Sequence, residues 1–356
     1  MAYSTISKPS LHFNTKLYTG TGSELAITGV GFQPDFVWTK SRSNTLNHNL
    51  YDAVRGVTKG LKSNTSDAEF TEAQSLKSFD SGGFTIGTDS HINTSSATFA
   101  SWNWKANGAG SANTDGDINS TVSVNQTAGF SIVSWTGDGN ASSTVGHGLG
   151  SDGIDMLITK NRNRSSSWYT KHKDLSSDNI LLLDSSSGQF SNIGSTWGGL
   201  DNLSASSVFG FDAGSSGVFA NYSGEEQIAY CFKSVKGYSK FGKYTGNGNA
   251  NGTFIYTGFK PAFIIIKKTS ATQSWTIQDN KRNPINNGGD MKALKADTSG
   301  AEEDEASHRI DYLSNGFKMR YNWEGNNQSG ATYIYMAFAE EPLVANVGNS
   351  IPATAR

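Results

Sequence analysis

Hydrophobic positions fall in short clusters along the chain, and no stretch shows the long 3.6-residue period of an amphipathic helix. Phe36-Val-Trp38 and Phe263-Ile-Ile-Ile266 are typical: three or four apolar residues, with a lysine (Lys40, Lys267) ending the run. Runs that short, bounded by Gly, Pro, Asn and Ser, predict strands buried on both faces, with the lysine head reaching solvent at the strand end. The clusters belong to one phrase written three times. Tyr18-Thr-Gly-Thr-Gly22, Trp135-Thr-Gly-Asp-Gly139 and Tyr244-Thr-Gly-Asn-Gly248 each run into a turn. Gly31-Phe-Gln-Pro34, Gly148-Leu-Gly150 and Gly258-Phe-Lys-Pro261 follow, and then the strands ending in Lys40, Lys160 and Lys267.

The downstream parts recur in the same order. Trp168 and Trp275 are followed four positions later by His172 and Asp279, and the first copy holds His48 and Asp52 at these places. A leucine step comes next, at Leu61, Leu183 and Leu294. Each copy closes on an aromatic-rich strand ending in Trp104, Phe232 or Phe338. At about 150 residues per domain, 356 residues suggest two or three domains, and the repeats resolve this to three. The expected fold is all-β: three tandem homologous antiparallel β-sandwich, jelly-roll-like domains over 15–106, 128–236 and 237–342. Residues 1–14 read as an N-terminal arm, 107–127 as a small, polar, flexible linker and 343–356 as a C-terminal tail. Ser66-Asp-Ala-Glu69 and Ser299-Gly-Ala-Glu302 have the capping-box pattern, so a short capped helix is expected in copies 1 and 3, through Leu76 and Ile310.

Composition narrows the classes. There are 40 glycines, and charged residues make up only 17%, which suits strands and turns rather than helices. No run approaches eighteen apolar residues, and the N-terminus lacks the apolar core of a signal peptide. A single cysteine, Cys231, excludes an internal disulfide and reads as a packed thiol. A net charge of −2 gives no bulk attraction to nucleic acid or an anionic membrane.

The common catalytic signatures are missing: no His-Glu-x-x-His, no phosphate-cradling glycine loop, no Gly-x-Ser-x-Gly. No metal site or cofactor is expected; Asn113-Thr-Asp115-Gly-Asp117-Ile-Asn119 has alternating oxygen ligands, but its glycine and its twelfth residue, Val124, do not suit a calcium loop. The acids from Glu302 to Glu305 read as complements of a helix N-terminus. The repeated pairs Asp52/Arg55 and Asp279/Arg282 read as structural ion pairs holding a turn. Trp197 and Trp323 lie in polar, copy-specific loops, where an aromatic ring can stack on a sugar while Asn and Asp bond its hydroxyls.

Several longer phrases carry a resemblance. Met1-Ala-Tyr-Ser-Thr-Ile-Ser-Lys-Pro9, Val54-Arg-Gly-Val-Thr-Lys-Gly-Leu-Lys-Ser-Asn-Thr65, Trp102-Asn-Trp-Lys-Ala-Asn-Gly108, Ala331-Thr-Tyr-Ile-Tyr-Met-Ala-Phe-Ala-Glu340 and the Ile351-Pro-Ala-Thr-Ala-Arg356 end are among them. With these the chain resembles three-repeat, tail-fibre-like virion structural proteins of marine tailed bacteriophages. The resemblance implies a non-enzymatic virion component made in the host cytoplasm, with other virion proteins as partners, and carries no site residues. Two placements follow. One is a tail or head fibre, expected as a homotrimer, contacting a host surface glycan. The other is a capsid decoration protein whose three units form an intrachain pseudo-trimer. An envelope-glycan depolymerase is a third reading, which the lack of a paired-carboxylate motif counts against.

Overall fold

Each Tyr/Trp-Thr-Gly phrase ends a strand, and that strand pairs with the closing strand of its own copy rather than with the strand after it. Phe13–Thr19 pairs with Thr98–Trp104, Phe130–Thr136 with Glu226–Phe232, and Ser239–Thr245 with Thr332–Pro342, all antiparallel. The other edge of each closing strand takes the lysine-ended strand: Phe36–Ser41, Met156–Asn161 and Phe259–Lys268. Beyond these lie Asn49–Asp52, Tyr169–His172 and Thr276–Asp279. The order opening, closing, lysine-ended, fourth strand thus occurs in a four-stranded, an eight-stranded and a six-stranded sheet. The structure is a computed structural model that describes residues 4–342, apart from 177, 192–202, 204–205, 212–219 and 287. It is an all-β fold of antiparallel sheets. The two glycines of each phrase have separate jobs. A Cβ on Gly20, Gly137 or Gly246 would strike the facing backbone at Thr94, Tyr222 or Gln328, and Gly22, Gly139 and Gly248 hold φ of +71°, +76° and +66°.

The lysine-ended and closing strands are buried on both faces, which is why their hydrophobic runs show little alternation. Phe36, Trp38, Trp102 and Trp104 point into one large core shared by all three sheets, together with Ile228, Tyr230, Phe232, Phe263, Ile265, Met336 and Phe338. At its centre Trp104, Phe232 and Phe338, the three closing-strand ends, meet pairwise with ring centroids 6.4, 5.8 and 6.3 Å apart. The opposite faces form three smaller cores. Val37 and Tyr51 lie with Phe84 and Ile86 of the sheet Leu25–Thr28, Gly83–Ile86, Leu76–Asp80. Leu157 and Cys231 lie with Phe209 of the pair Thr144–Gly146, Val208–Gly210. Ile264 and Tyr333 lie with Phe317 of the sheet Phe254–Tyr256, Gly316–Met319, Ile310–Leu313.

Three expectations need correction. No α-helix follows Ser66 or Ser299: Phe70–Thr71, Leu76–Asp80 and Glu303–Glu305 are strands, and the third copy has only a three-residue 3-10 helix, Ala306–His308. The capping glutamates are used elsewhere, because the Glu69 amide donates to Arg162 O and the Glu302 amide to Arg42 O, each on another copy. The expected linker 107–127 contains the strands Ser111–Asn113 and Ser120–Asn125, which extend the second sheet; Val122 is buried against that sheet's outer core. Within the expected N-terminal arm, Ile6 and Phe13 are buried in the shared core, Phe13 stacking on Phe338. The tail 343–356 lies outside the described residues.

Candidate functional site

The sequence-predicted ion pairs lie at the junctions between copies. Arg55 Nε bonds Asp52 Oδ2 at 2.5 Å, and both side chains are fully buried. Arg55 also reaches Leu50 O at 2.9 Å and Glu69 at 3.3 Å. From the second copy, Tyr230 donates to Asp52 at 2.8 Å, and Arg162 grips both oxygens of Glu69 at 2.9 and 3.0 Å. Burial alone would raise the Glu69 carboxyl, but the Arg162 and Arg55 guanidiniums hold it below the ordinary carboxylate range. The same constellation joins the third copy to the first. Arg282 Nε bonds Asp279 at 2.6 Å, again fully buried, and reaches Ile277 O and Glu302. Trp102 donates to Asp279 at 3.0 Å, and Arg42 grips Glu302 at 2.9 and 2.8 Å.

The remaining junction, second copy to third, is uncharged at the same places. The Gln189 amide donates to Thr269 O as Glu69 does to Arg162 and Glu302 to Arg42, so Gln189 and Thr269 replace the Glu–Arg pair. His172 stands where the others have Asp52 and Asp279, Leu175 where they have Arg55 and Arg282, and Met336 where they have Tyr230 and Trp102. Burial pushes the His172 imidazole down to about 3, and its Nδ1 accepts from the Asp174 amide at 3.1 Å.

One further contact runs through all three junctions, and a bond within each copy supports it. Trp168 donates its indole N–H to Lys62 O at 2.7 Å and Trp275 to Leu182 O at 2.8 Å, while His48 places Nε2 2.9 Å from Lys295 O. The amides of His48, Trp168 and Trp275 in turn donate to Asn64, Asp184 and Asp297. This register makes Leu181, not Leu183, the partner of Leu61 and Leu294. The strand-end lysines, expected to reach solvent, are buried, because the neighbouring copy's loop covers two of them. Lys160 Nζ donates to Ser66 O at 3.2 Å and Asn161 O at 2.9 Å; Lys267 Nζ donates to Ser186 O at 2.8 Å and to Gln273 O. Lys40 Nζ donates to Ser41 O at 2.8 Å. Burial pushes all three amines down to about 8. Contacts run first to second, second to third and third to first, so they close a ring.

The two tryptophans singled out as sugar platforms fare differently. Trp197 lies outside the described residues. Trp323 is half-buried, packs edge-on against His308 with centroids 4.6 Å apart, and its ring lies where a Cβ on Gly325 would sit. The larger concave surfaces lie elsewhere. One, of about 510 Å³, is in the first copy and is lined by Lys62, Phe70, Glu72, Asp89 and His91 among others. Another, of about 420 Å³, lies between the second and third copies; Lys173, Lys236, Lys240 and Tyr256 line it together with serines, glycines and Thr257. Sequence reasoning passed over both. The signal for the second was the pair Phe254 and Tyr256 at outward strand positions, where the register puts Ala26 and Thr28 in the first copy and Thr144 and Gly146 in the second.

A family model described as "Domain of unknown function (DUF7483)" matches residues 8–342. The chain belongs to that family. No curated protein matches it.

The chemistry open to this DUF7483 chain follows from what its polar groups already hold. Asp52 and Asp279 are engaged by arginine and sealed from solvent, as structural pairs would be. Glu303 bonds His308 and Lys295, which hold its carboxyl down to about 2. Cys231 is packed in the outer core of the second sheet, and burial pushes its thiol up. Asp117 accepts from the Thr144 amide and hydroxyl, tying a turn. Among the described residues, no group of three or more His, Cys, Asp or Glu side chains converges as a metal site.

Proposed function

We propose that this chain is a non-enzymatic structural protein of a bacteriophage virion. In this reading it is three tandem homologous antiparallel β-sandwich units of jelly-roll-like form, the first opening on the strand Phe13–Thr19 and the second taking in the strands Ser111–Asn113 and Ser120–Asn125, acting together as an intrachain pseudo-trimer. The observation that carries it is ring closure: the third unit bonds the first through Arg42–Glu302 and His48–Lys295, as the first bonds the second. One chain then presents a threefold-like surface without help from further copies. Such a surface suits a local threefold position on a capsid, which places decoration ahead of a homotrimeric fibre. The virion assignment itself rests on the sequence resemblance. The fibre reading stands second, favoured by the exposed Phe254 and Tyr256 of the third unit, which would suit contact with a host glycan. A depolymerase has least support, since the chain lacks a paired-carboxylate motif and, of the acids from Glu302 to Glu305, Glu302 and Glu303 are taken up in ion pairs.

Light scattering of the purified protein is expected to give the mass of a single chain. A stable homotrimer would overturn the pseudo-trimer reading and favour the fibre. Immunogold labelling of particles then places the chain: label on isolated tail-less heads supports decoration, and label confined to tails overturns it.

A further inference from the structure

The cleft between the second and third units combines an exposed aromatic ring with three lysines from separate parts of the chain. Lys173 follows the strand Tyr169–His172, Lys236 lies in the connection between units, and Lys240 is on the strand Ser239–Thr245. Its lining includes no carboxylate; Asp155 pairs with Lys173 at 3.0 Å from outside it. Lys240 is not a loose surface lysine. Its Nζ donates to Tyr256 O at 2.7 Å and lies 5.1 Å from the centre of the Tyr256 ring. The corresponding side chains of the other units, Asn14 and Ser131, make comparable neutral ties, to Val30 O and His147 O. The third unit alone makes this tie with a cation and sets a tyrosine beside it. Partial burial, and to a lesser degree the nearby Lys173 charge, hold Lys240 below its ordinary range.

We propose that this cleft binds an acidic pyranose of a surface polysaccharide, with Tyr256 as the stacking plate and Lys240, Lys173 and Lys236 facing the sugar's carboxylate. A sugar ring presents a C–H face that packs on an exposed aromatic, while its carboxylate requires cations in a concave, partly desolvated setting. Both are present within one cleft of about 420 Å³, large enough for one or two sugar rings. The neighbouring Phe254, also exposed and on the same strand face, extends the apolar plate along a chain of sugars. The inference draws on the host-contact reading only for the source of the saccharide.

The test uses the full chain and titration calorimetry with hexagalacturonate at low salt, with maltohexaose and poly-glutamate as comparators. Hexagalacturonate is expected to bind, weakening with added salt. Tyr256→Ala is expected to lower the affinity about tenfold, the loss of one stacked ring, and Lys240→Gln to lower it and flatten the salt dependence, with both melting temperatures near wild type. Equal binding of maltohexaose overturns the role of the lysines. Equal binding of poly-glutamate overturns the saccharide, leaving a general polyanion or acidic-protein surface. Should Lys240→Gln lower the melting temperature, Lys236→Gln, on an exposed side chain, reads the same cation effect without the inter-sheet tie. No binding by hexagalacturonate overturns the site whatever the particle labelling shows, whereas binding by a chain absent from particles overturns the virion reading alone.

Discussion

The duplicated Asp–Arg–Glu–Arg constellation shows what a buried charge requires. At two junctions each carboxylate meets a guanidinium and a donor from the next unit, and at the third the whole set is replaced by His172, Leu175, Gln189, Thr269 and Met336. A fully buried pair contributes little beyond a well-packed neutral set, but removing one member leaves a charge without its counterpart. Arg282→Leu is therefore expected to cost about 3–5 kcal/mol. Adding Asp279→His, Glu302→Gln and Arg42→Thr, the residues of the neutral junction, recovers most of that loss; urea unfolding of the variants measures it, and additive losses would contradict the argument. The histidines set a pH dependence with a definite sign. Burial keeps His172 neutral down to about pH 3, and His48 is likewise lowered, whereas an unfolded imidazole takes up its proton near 6.5. Their contribution is thus complete above 6.5 and falls as pH drops, by about 1.4 kcal/mol per pH unit for each histidine. His172→Asn should flatten the slope of unfolding free energy between pH 6 and 4 by close to one proton.

At the scale of elements, the strand-end lysines show where sequence reading succeeds and where it stops. The runs ending in Lys40, Lys160 and Lys267 were legible as doubly buried strands, because apolar residues without alternation leave no face for water. The fate of the lysines was not legible, since the loops that cover Lys160 and Lys267 belong to other units. The same limit explains the missed strands and false helices. Ser66-x-x-Glu69 satisfies a local rule, yet Arg162, distant in sequence, offers Glu69 two charge-assisted bonds. The ion pairs were readable because both partners lie three residues apart, and the lysine–tyrosine cleft was not, because Lys240 and Tyr256 sit on strands of different sheets and Lys173 joins them only at the junction of two units. The buried amines carry a second pH prediction. Their folded pKa is about 8 and their unfolded value 10.5, so between these only the unfolded chain holds the protons. Stability should rise with pH across that window. Above about pH 10 the buried tyrosines, Tyr230 and Tyr244 among them, reverse the slope, because burial keeps their hydroxyls protonated while unfolded tyrosines ionise. Urea midpoints are expected to climb from pH 7.5 to 9.5 in the wild type and to climb less in Lys160→Met.

For the whole molecule, the decisive feature is that the largest core belongs to no single unit. Phe36, Phe232 and Phe338 come from three sheets, and removing any one sheet would bare the inner faces of the other two. Tandem domains with private cores melt as separate transitions, and the three outer cores alone would allow that behaviour. The shared core makes each unit's inner face depend on its neighbours, and the three junctions leave no free end from which the array could unravel, unlike an open repeat stack whose end units fray. Scanning calorimetry is therefore expected to show one transition with calorimetric and van't Hoff enthalpies nearly equal. Independent units would instead give a van't Hoff enthalpy well below the calorimetric one. Trp104→Ala separates the alternatives further, because that ring touches Phe232 and Phe338 from the other two units. If the units fold together, the substitution moves the single transition as a whole by about 3–5 kcal/mol. A split into a shifted first-unit transition and two unshifted ones would mean that the central aromatic contacts do not couple the ring.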